Sequence, residues 1–192
     1  MTHYTIYDQD TAIAPADLVF SGLEQMVGFV PNVFAVLGGT PNVLSAFAEM
    51  NQQFMQGKLD PIEREVVQLA VSVQNGCAYC VAGHTAFAHQ AKMGASEISA
   101  LREGKRLADP RLQALRKFAE ILAKRKGTDC STALEAFLAA GFTKEQVQDV
   151  VLGVTVKMFS NMTSNMLNIP LDPAFASYQW EVPTTVTNAY AA

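Results

Sequence analysis

Glu65-Val66-Val67-Gln68-Leu69-Ala70-Val71-Ser72-Val73-Gln74-Asn75-Gly76-Cys77-Ala78-Tyr79-Cys80-Val81-Ala82-Gly83-His84 puts a carboxylate, two thiols and an imidazole within one helix-turn-helix. These are the parts of a thiol redox centre. Asn75-Gly76 interrupts the apolar pattern before it, and the segment from Cys77 to about Lys92 reads as a helix. Cys77, Cys80, His84, Phe87, Ala88 and Ala91 then recur at helical spacing, so both thiols and the imidazole fall on one stripe.

Two cysteines three residues apart at a helix start can meet the Cα separation of a disulfide, roughly 4.4 to 6.8 Å. A helix N-terminus also offers unpaired N–H groups and partial positive charge, which lower a thiol pKa from about 8.5 into the range of roughly 3.5 to 7.5. That field favours Cys77 as the more acidic thiol. His84, one turn beyond Cys80, favours Cys80 as the thiol that exchanges a proton. Which of the two attacks a substrate is left open by these opposing arguments.

The helix before the motif opens with Asp60 as N-cap and Pro61 in its first turn, and Ile62, Val66, Leu69 and Val73 share a face. Glu65 lies on that same face, where an apolar residue is expected. Glu63, Arg64 and Gln68 are assigned to the wet side. A carboxylate on an inward stripe needs a partner, and an imidazole is the natural group to share a proton with it.

The chain has 192 residues, 49% of them apolar, 17% charged, with a net charge of −4. This excludes disorder, and it lacks the basic balance of a nucleic-acid binder. No apolar run approaches the roughly 18 residues of a membrane span, and the start lacks the basic and apolar regions of a signal peptide. The expectation is a soluble, cytoplasmic protein with no nucleic-acid or membrane partner. Three cysteines, two of them in one CxxC, suit a reducing compartment and a working dithiol better than a disulfide scaffold.

Gly and Pro punctuation divides the rest into helix-sized pieces with no strand alternation, so the fold class is all-α, a multi-helix bundle with the CxxC at a helix N-terminus. Residues 1–15 read as an irregular leader, 16–169 as a single helical domain, and 170–192 as a non-helical arm. The first helix starts at Ala16 and is expected to stop around Pro31; Thr40-Pro41 opens the next, ending at Gly57. Ser96 is expected to cap a short helix closed by Gly104, and Asp109-Pro110 to open a long one. Thr132 with Glu135, and Thr143 with Gln146, are spaced as capping boxes. The last helix aligns Val147, Val150, Val151, Val154, Met158, Met162 and Met166. Its second half is polar but uncharged, which suits burial against another subunit or the border of a pocket.

Thioredoxin, haem and zinc chemistry also use a CxxC, and each fits this one differently. A thioredoxin-type motif follows a strand, and c-type haem attachment needs a His directly after the second Cys, where Val81 stands. Zinc would use Cys77, Cys80 and His84 with Glu65 or Cys130, but the first three fall on one helix with no second Cys or His pair. No metal is therefore expected. Cys130 reads as a packed thiol, His3 and His89 as surface residues, and Tyr79 as a pocket wall, a donor or plain packing.

The pattern of Glu65, eleven residues, Cys77-Ala78-Tyr79-Cys80, three residues and His84 resembles the AhpD-like superfamily, which also contains the carboxymuconolactone decarboxylase family. Helical surroundings from about Asn42 to Asn168 are similar too. The resemblance implies an all-helical fold assembling as dimers, trimers or hexamers. It implies a cofactor-free thiol peroxidase in which Cys80 attacks the peroxide, Cys77 resolves the sulfenic acid, and Glu65 and His84 form the proton relay. An organic hydroperoxide would be the substrate and a dihydrolipoamide-type dithiol the reductant. Two departures stand out: Tyr79 occupies a position where AhpD has a second His, and over a hundred residues follow the motif, as in the uncharacterised peroxidase-related branch. Two other classes compete with a peroxidase. One is a lyase acting on a lactone carboxylate, which leaves both thiols without a role; the other is a non-catalytic zinc or binding module.

Overall fold

Asp60 accepts a hydrogen bond from the Glu63 amide at 2.8 Å while Glu63 Oε2 accepts from the Asp60 amide at 3.1 Å. This reciprocal cap, with Pro61 at the first position, starts the helix on which the others pack. The computed structural model describes residues 4–182, which hold nine α-helices and one 3-10 helix; His3 and residues 183–192 lie outside them. In order the helices are α1 (Ala16–Val27), α2 (Asn32–Ala35), α3 (Pro41–Gln56), α4 (Pro61–Gln74), α5 (Ala78–Gln90), α6 (Ala95–Arg102), α7 (Pro110–Arg125), α8 (Ser131–Ala139) and α9 (Lys144–Leu167). The all-α expectation holds.

Helix α4 is covered by α5, α6, α7 and α9, and every residue from Val66 to Val73 is buried. Of the three residues assigned to the wet side only Arg64 keeps some exposure; Glu63 and Gln68 are buried, at 5% and 3% exposure. A helix covered by four others keeps little solvent face, so its buried polar residues must find partners inside. Gln68 donates to the Gly153 carbonyl at 3.1 Å, and Glu63 accepts from Arg111 Nη2 at 2.9 Å.

The main core joins Phe54, Leu69, Phe118, Phe137 and Val150, and a second cluster gathers Phe20, Leu44, Phe47 and Val156 under the N-terminal helices. Residues 4–15 belong to that second layer: the Tyr7 amide donates to the Ala35 carbonyl at 3.2 Å and the Ile13 amide to that of Gly38 at 3.0 Å.

Several helix ends differ from expectation. Helix α1 stops at Gly28, whose φ of 90° closes the turn before Pro31 is reached. Gly94, not Ser96, is the N-cap of α6. Helix α8 begins with Cys130 in the cap position and no side-chain cap, so Thr132 and Glu135 form no capping box. The Cys130 thiol is half-buried and turns to the Thr128 carbonyl at 3.2 Å. The Thr143–Gln146 box does form, at 3.3 and 2.9 Å, and starts the 24-residue α9.

The aligned stripe on α9 splits along its length. Val150 and Val154 enter the core, but Val151, Met162 and Met166 are exposed. In the second half the buried side is Lys157, Ser160, Asn161, Thr163 and Ser164. These polar residues face inward within this chain because the end of α4 and the CxxC offer them hydrogen-bond partners: Asn161 donates to Ser72 Oγ at 3.3 Å and accepts from Asn75 Nδ2 at 2.9 Å.

Residues 170–182 are not devoid of helix. A 3-10 helix, Pro173–Tyr178, lies on α5 of the same chain and buries Phe175 among Ala82 and Ala86. Gly83 makes this approach possible, since a Cβ there would come 3.2 Å from the Phe175 ring.

Candidate functional site

Gly76 takes a φ of 60°, a conformation glycine reaches without steric cost, and the Cys77 amide donates back to the Ser72 carbonyl at 3.0 Å. The chain thus leaves α4 and enters α5 within three residues. Cys77 becomes the N-cap of α5, and its sulfur accepts a hydrogen bond from the Cys80 amide at 3.3 Å. Both thiols are free and buried.

The four residues expected at the site converge. Glu65 Oε2 lies 2.8 Å from His84 Nδ1, with both side chains about one-sixth exposed, at 15% and 17%. Glu65 is thus partly enclosed and has the expected imidazole partner. A carboxylate only accepts, so Nδ1 carries the ring proton of a neutral His84 and Nε2 presents a lone pair. Phe87 meets the His84 ring edge-on at 5.6 Å between centroids, and Phe175 meets Phe87 at 5.7 Å.

One site residue escaped the sequence. Lys157 of α9, only 4% exposed, brings Nζ to 2.5 Å from His84 Nε2. His84 is therefore engaged at both nitrogens and does not hydrogen-bond Cys80, contrary to the expected direct pairing. A signal for Lys157 was present: it is the sole charged residue from Val150 to Asn168 and shares a helical face with Val150, Val154 and Ser164.

The electrostatics separate the two thiols. Burial alone would raise the Cys80 pKa. Against it act the hydrogen bond from Cys77, the Lys157 charge, Ser164 and His84, which together bring Cys80 down to about 5. Its sulfur lies 3.7 Å from Ser164 Oγ. Cys77 is pushed up, first by its hydrogen bond to Cys80, then by burial and by the Cys80 charge. The helix-dipole argument for Cys77 is outweighed because the hydrogen bond between the two thiols raises Cys77 and lowers Cys80, while the Lys157 charge lowers both. Cys80 is the acidic thiol.

Tyr79 points away from this group. Its hydroxyl donates to Asp172 Oδ2 at 2.6 Å and accepts from the Val33 amide at 3.2 Å. Burial raises the Tyr79 pKa, and the neighbouring Asp172 charge adds to it. His89 is exposed and stacks on Tyr178. Cys130, at the start of α8, is not part of the site. Among the described residues no three His, Cys, Asp or Glu side chains converge as metal ligands, and none of the helices is long and apolar enough to cross a membrane. A cavity of about 510 Å³ runs beside α5, walled by Phe29, Phe87, Phe175 and Tyr178.

The sequence model of the carboxymuconolactone decarboxylase family matches residues 41–120, the span that contains α3 to α6, most of α7 and the whole Glu65–His84 pattern. That stretch, somewhat under half of the chain, is similar to the family. It lies in an AhpD-like fold. A solved alkylhydroperoxidase AhpD core, an uncharacterized peroxidase-related protein from Ralstonia eutropha JMP134, superposes with a TM-score of 0.81 at 25% identity, over 90% of this chain and 93% of that one. An uncharacterized peroxidase-related protein from Silicibacter sp. TM1040 gives 0.76 at 20% identity, over 95% of each chain. The debrominase Bmp8 in complex with 2,3,4-tribromopyrrole shares the fold, with a TM-score of 0.79 at 17% identity over 93% of this chain and 96% of that one. No curated protein matches the chain.

Proposed function

We propose that the protein is a cofactor-free thiol peroxidase that reduces organic hydroperoxides through a Cys77–Cys80 dithiol. Cys80 carries this reading: a buried thiol brought down to about 5 is a thiolate at neutral pH, with a second thiol three residues away. The thiolate attacks the terminal peroxide oxygen, the O–O bond breaks, and Cys80 becomes a sulfenic acid while an alkoxide leaves. Cys77 then attacks the Cys80 sulfur, expelling hydroxide that takes the Cys77 proton and departs as water. The disulfide is returned to two thiols by a dithiol reductant, for which a lipoyl-type dithiol is the proposed class. Glu65 and His84 supply the proton path, and the aromatic cavity beside Phe87 suits an apolar alkyl or aryl group. A lactone-directed lyase would leave this thiol chemistry unused.

The test is a thiol count before and after one equivalent of cumene hydroperoxide. Two thiols should disappear and return on reduction, and Cys80→Ser and Cys77→Ser should each abolish turnover. Parent-rate peroxide reduction in both variants would sink the proposal.

We further propose a cytoplasmic homo-oligomer. Exposed apolar surface on Leu18, Met26, Met162 and Met166, which assembly would cover, supports the oligomer, and the free CxxC thiols suit a reducing compartment. Sedimentation as a monomer at micromolar concentration would overturn it.

A further inference from the structure

We propose that Lys157 is the acid that protonates the departing alkoxide, and that His84 and Glu65 position it and replenish its proton. This rests on the peroxidase reading above and names the group that completes it.

The geometry starts from the two nitrogens of His84. Nδ1 is held by Glu65 at 2.8 Å and Nε2 by Lys157 at 2.5 Å. An imidazole engaged at both ends cannot hand a proton to a third atom without first breaking a contact. Lys157 can, because an ammonium has three N–H groups and only one points at Nε2. Among the described residues Lys157 forms no salt bridge to a carboxylate. Its charge instead acts on the sulfurs of Cys80 and Cys77. The placement is geometric as well: Lys157 is held on His84, one turn of α5 beyond Cys80, and on the face of α9 whose Ser164 Oγ lies 3.7 Å from the Cys80 sulfur, the side on which the leaving oxygen would develop negative charge.

The step balances. Cys80–S⁻, Lys157–NH₃⁺ and ROOH give Cys80–SOH, Lys157–NH₂ and ROH; the two electrons come from sulfur and the proton from Nζ. The later disulfide step releases water, and the dithiol reductant restores the thiolate and the ammonium. An alkoxide is a strong base, and a positioned acid accelerates its departure by about 10²- to 10⁴-fold.

The test compares two reactions of the Cys80 thiolate in the full chain. Iodoacetamide alkylation expels iodide, which needs no proton; peroxide reduction expels an alkoxide, which does. Lys157→Arg keeps the cation but cannot give up a proton at neutral pH, so alkylation should stay near the parent rate while single-turnover oxidation by cumene hydroperoxide falls by about 10²-fold or more. Lys157→Met should slow both. Lys157→Arg oxidised at the parent rate would overturn the assignment, and so would an equal loss in both reactions from a variant with parent-like circular dichroism. Where Arg does not fold, the parent protein decides with hydroperoxides of graded leaving-alcohol acidity: a nearly flat rate series supports proton donation, and a steep one overturns it. Parent protein that leaves every peroxide intact sinks the peroxidase reading itself, which is distinct from parent activity that Lys157→Arg retains.

Discussion

Tyr79 and Asp172 are joined by a 2.6 Å hydrogen bond that ties the interior of the CxxC to the segment after α9. Asp172 is 3% exposed and also accepts from the Asn32 amide at 3.1 Å, so one carboxylate gathers α2, α5 and the 3-10 helix. Tyr79→Phe removes its strongest donor and leaves a buried acceptor short of a partner, at a cost of about 1–3 kcal/mol. A melting temperature equal to the parent's would contradict this. Burial raises the Asp172 pKa above 3.8, with the Tyr79 bond opposing it. The folded state therefore holds this proton more tightly than the unfolded chain does. Its contribution to stability is present below 3.8 and is lost as pH rises through the raised value. Tyr79→Phe should steepen that loss.

Cys80 should titrate near pH 5 rather than at the ordinary thiol value of 9.0. The reactive species is the thiolate, so alkylation by iodoacetamide should rise with pH through about 5 and level off before neutrality. Cys77→Ala deletes the neighbouring thiol that donates to Cys80, and its half-maximal pH should move upward. A profile rising only near 9.0 in the parent protein would refute the assigned acidity.

Gly153 of α9 lies against the ring of Phe54, and an added Cβ would collide with that ring. Phe54 is 4% exposed within the main core and cannot swing out without leaving a void. Gly153→Ala should therefore destabilise the protein by about 1–3 kcal/mol through overpacking, although alanine is the better helix former. Denaturant unfolding reads this directly, and a stabilised variant would contradict the packing described.

Glu63 pairs with Arg111 at 2.9 Å beneath α7, and Arg111 stacks on Phe142 at 3.6 Å. Glu63→Ala strips both the ion pair and one half of the α4 capping box. Breaking a fully buried pair costs about 3–5 kcal/mol, and the part-exposed Arg111 side chain reduces this to about 2 kcal/mol. The expected result is a lowered melting temperature with the Cys80 alkylation profile unchanged, since Glu63 lies on the opposite end of α4 from the thiols.

What could be read before folding was whatever depends on nearby positions in the chain. Asp60-Pro61, Thr143 with Gln146, and Asn75-Gly76 mark helix ends through local backbone chemistry, and all three act as read. The Glu65–His84 contact was legible because a turn of three residues between α4 and α5 leaves helical spacing to decide which side chains meet. What could not be read were meetings between distant segments. Lys157 joins His84 across 73 positions and Asp172 joins Tyr79 across 93. Periodicity shows that a residue turns inward but not what waits there: in the polar half of α9, Asn161 and Asn165 border a cavity beside Asn75, as its composition suggests, while Ser164 lies 3.7 Å from the Cys80 sulfur.

By itself, then, the sequence determined an all-α chain and the grouping of a carboxylate, two thiols and an imidazole, since helix periodicity and short turns are local physics. Only the tertiary structure decided how acidic Cys80 is: beyond the hydrogen bond from Cys77 inside the motif, Lys157 and Ser164 reach it from α9, and a thiol's acidity answers to every charge around it in space.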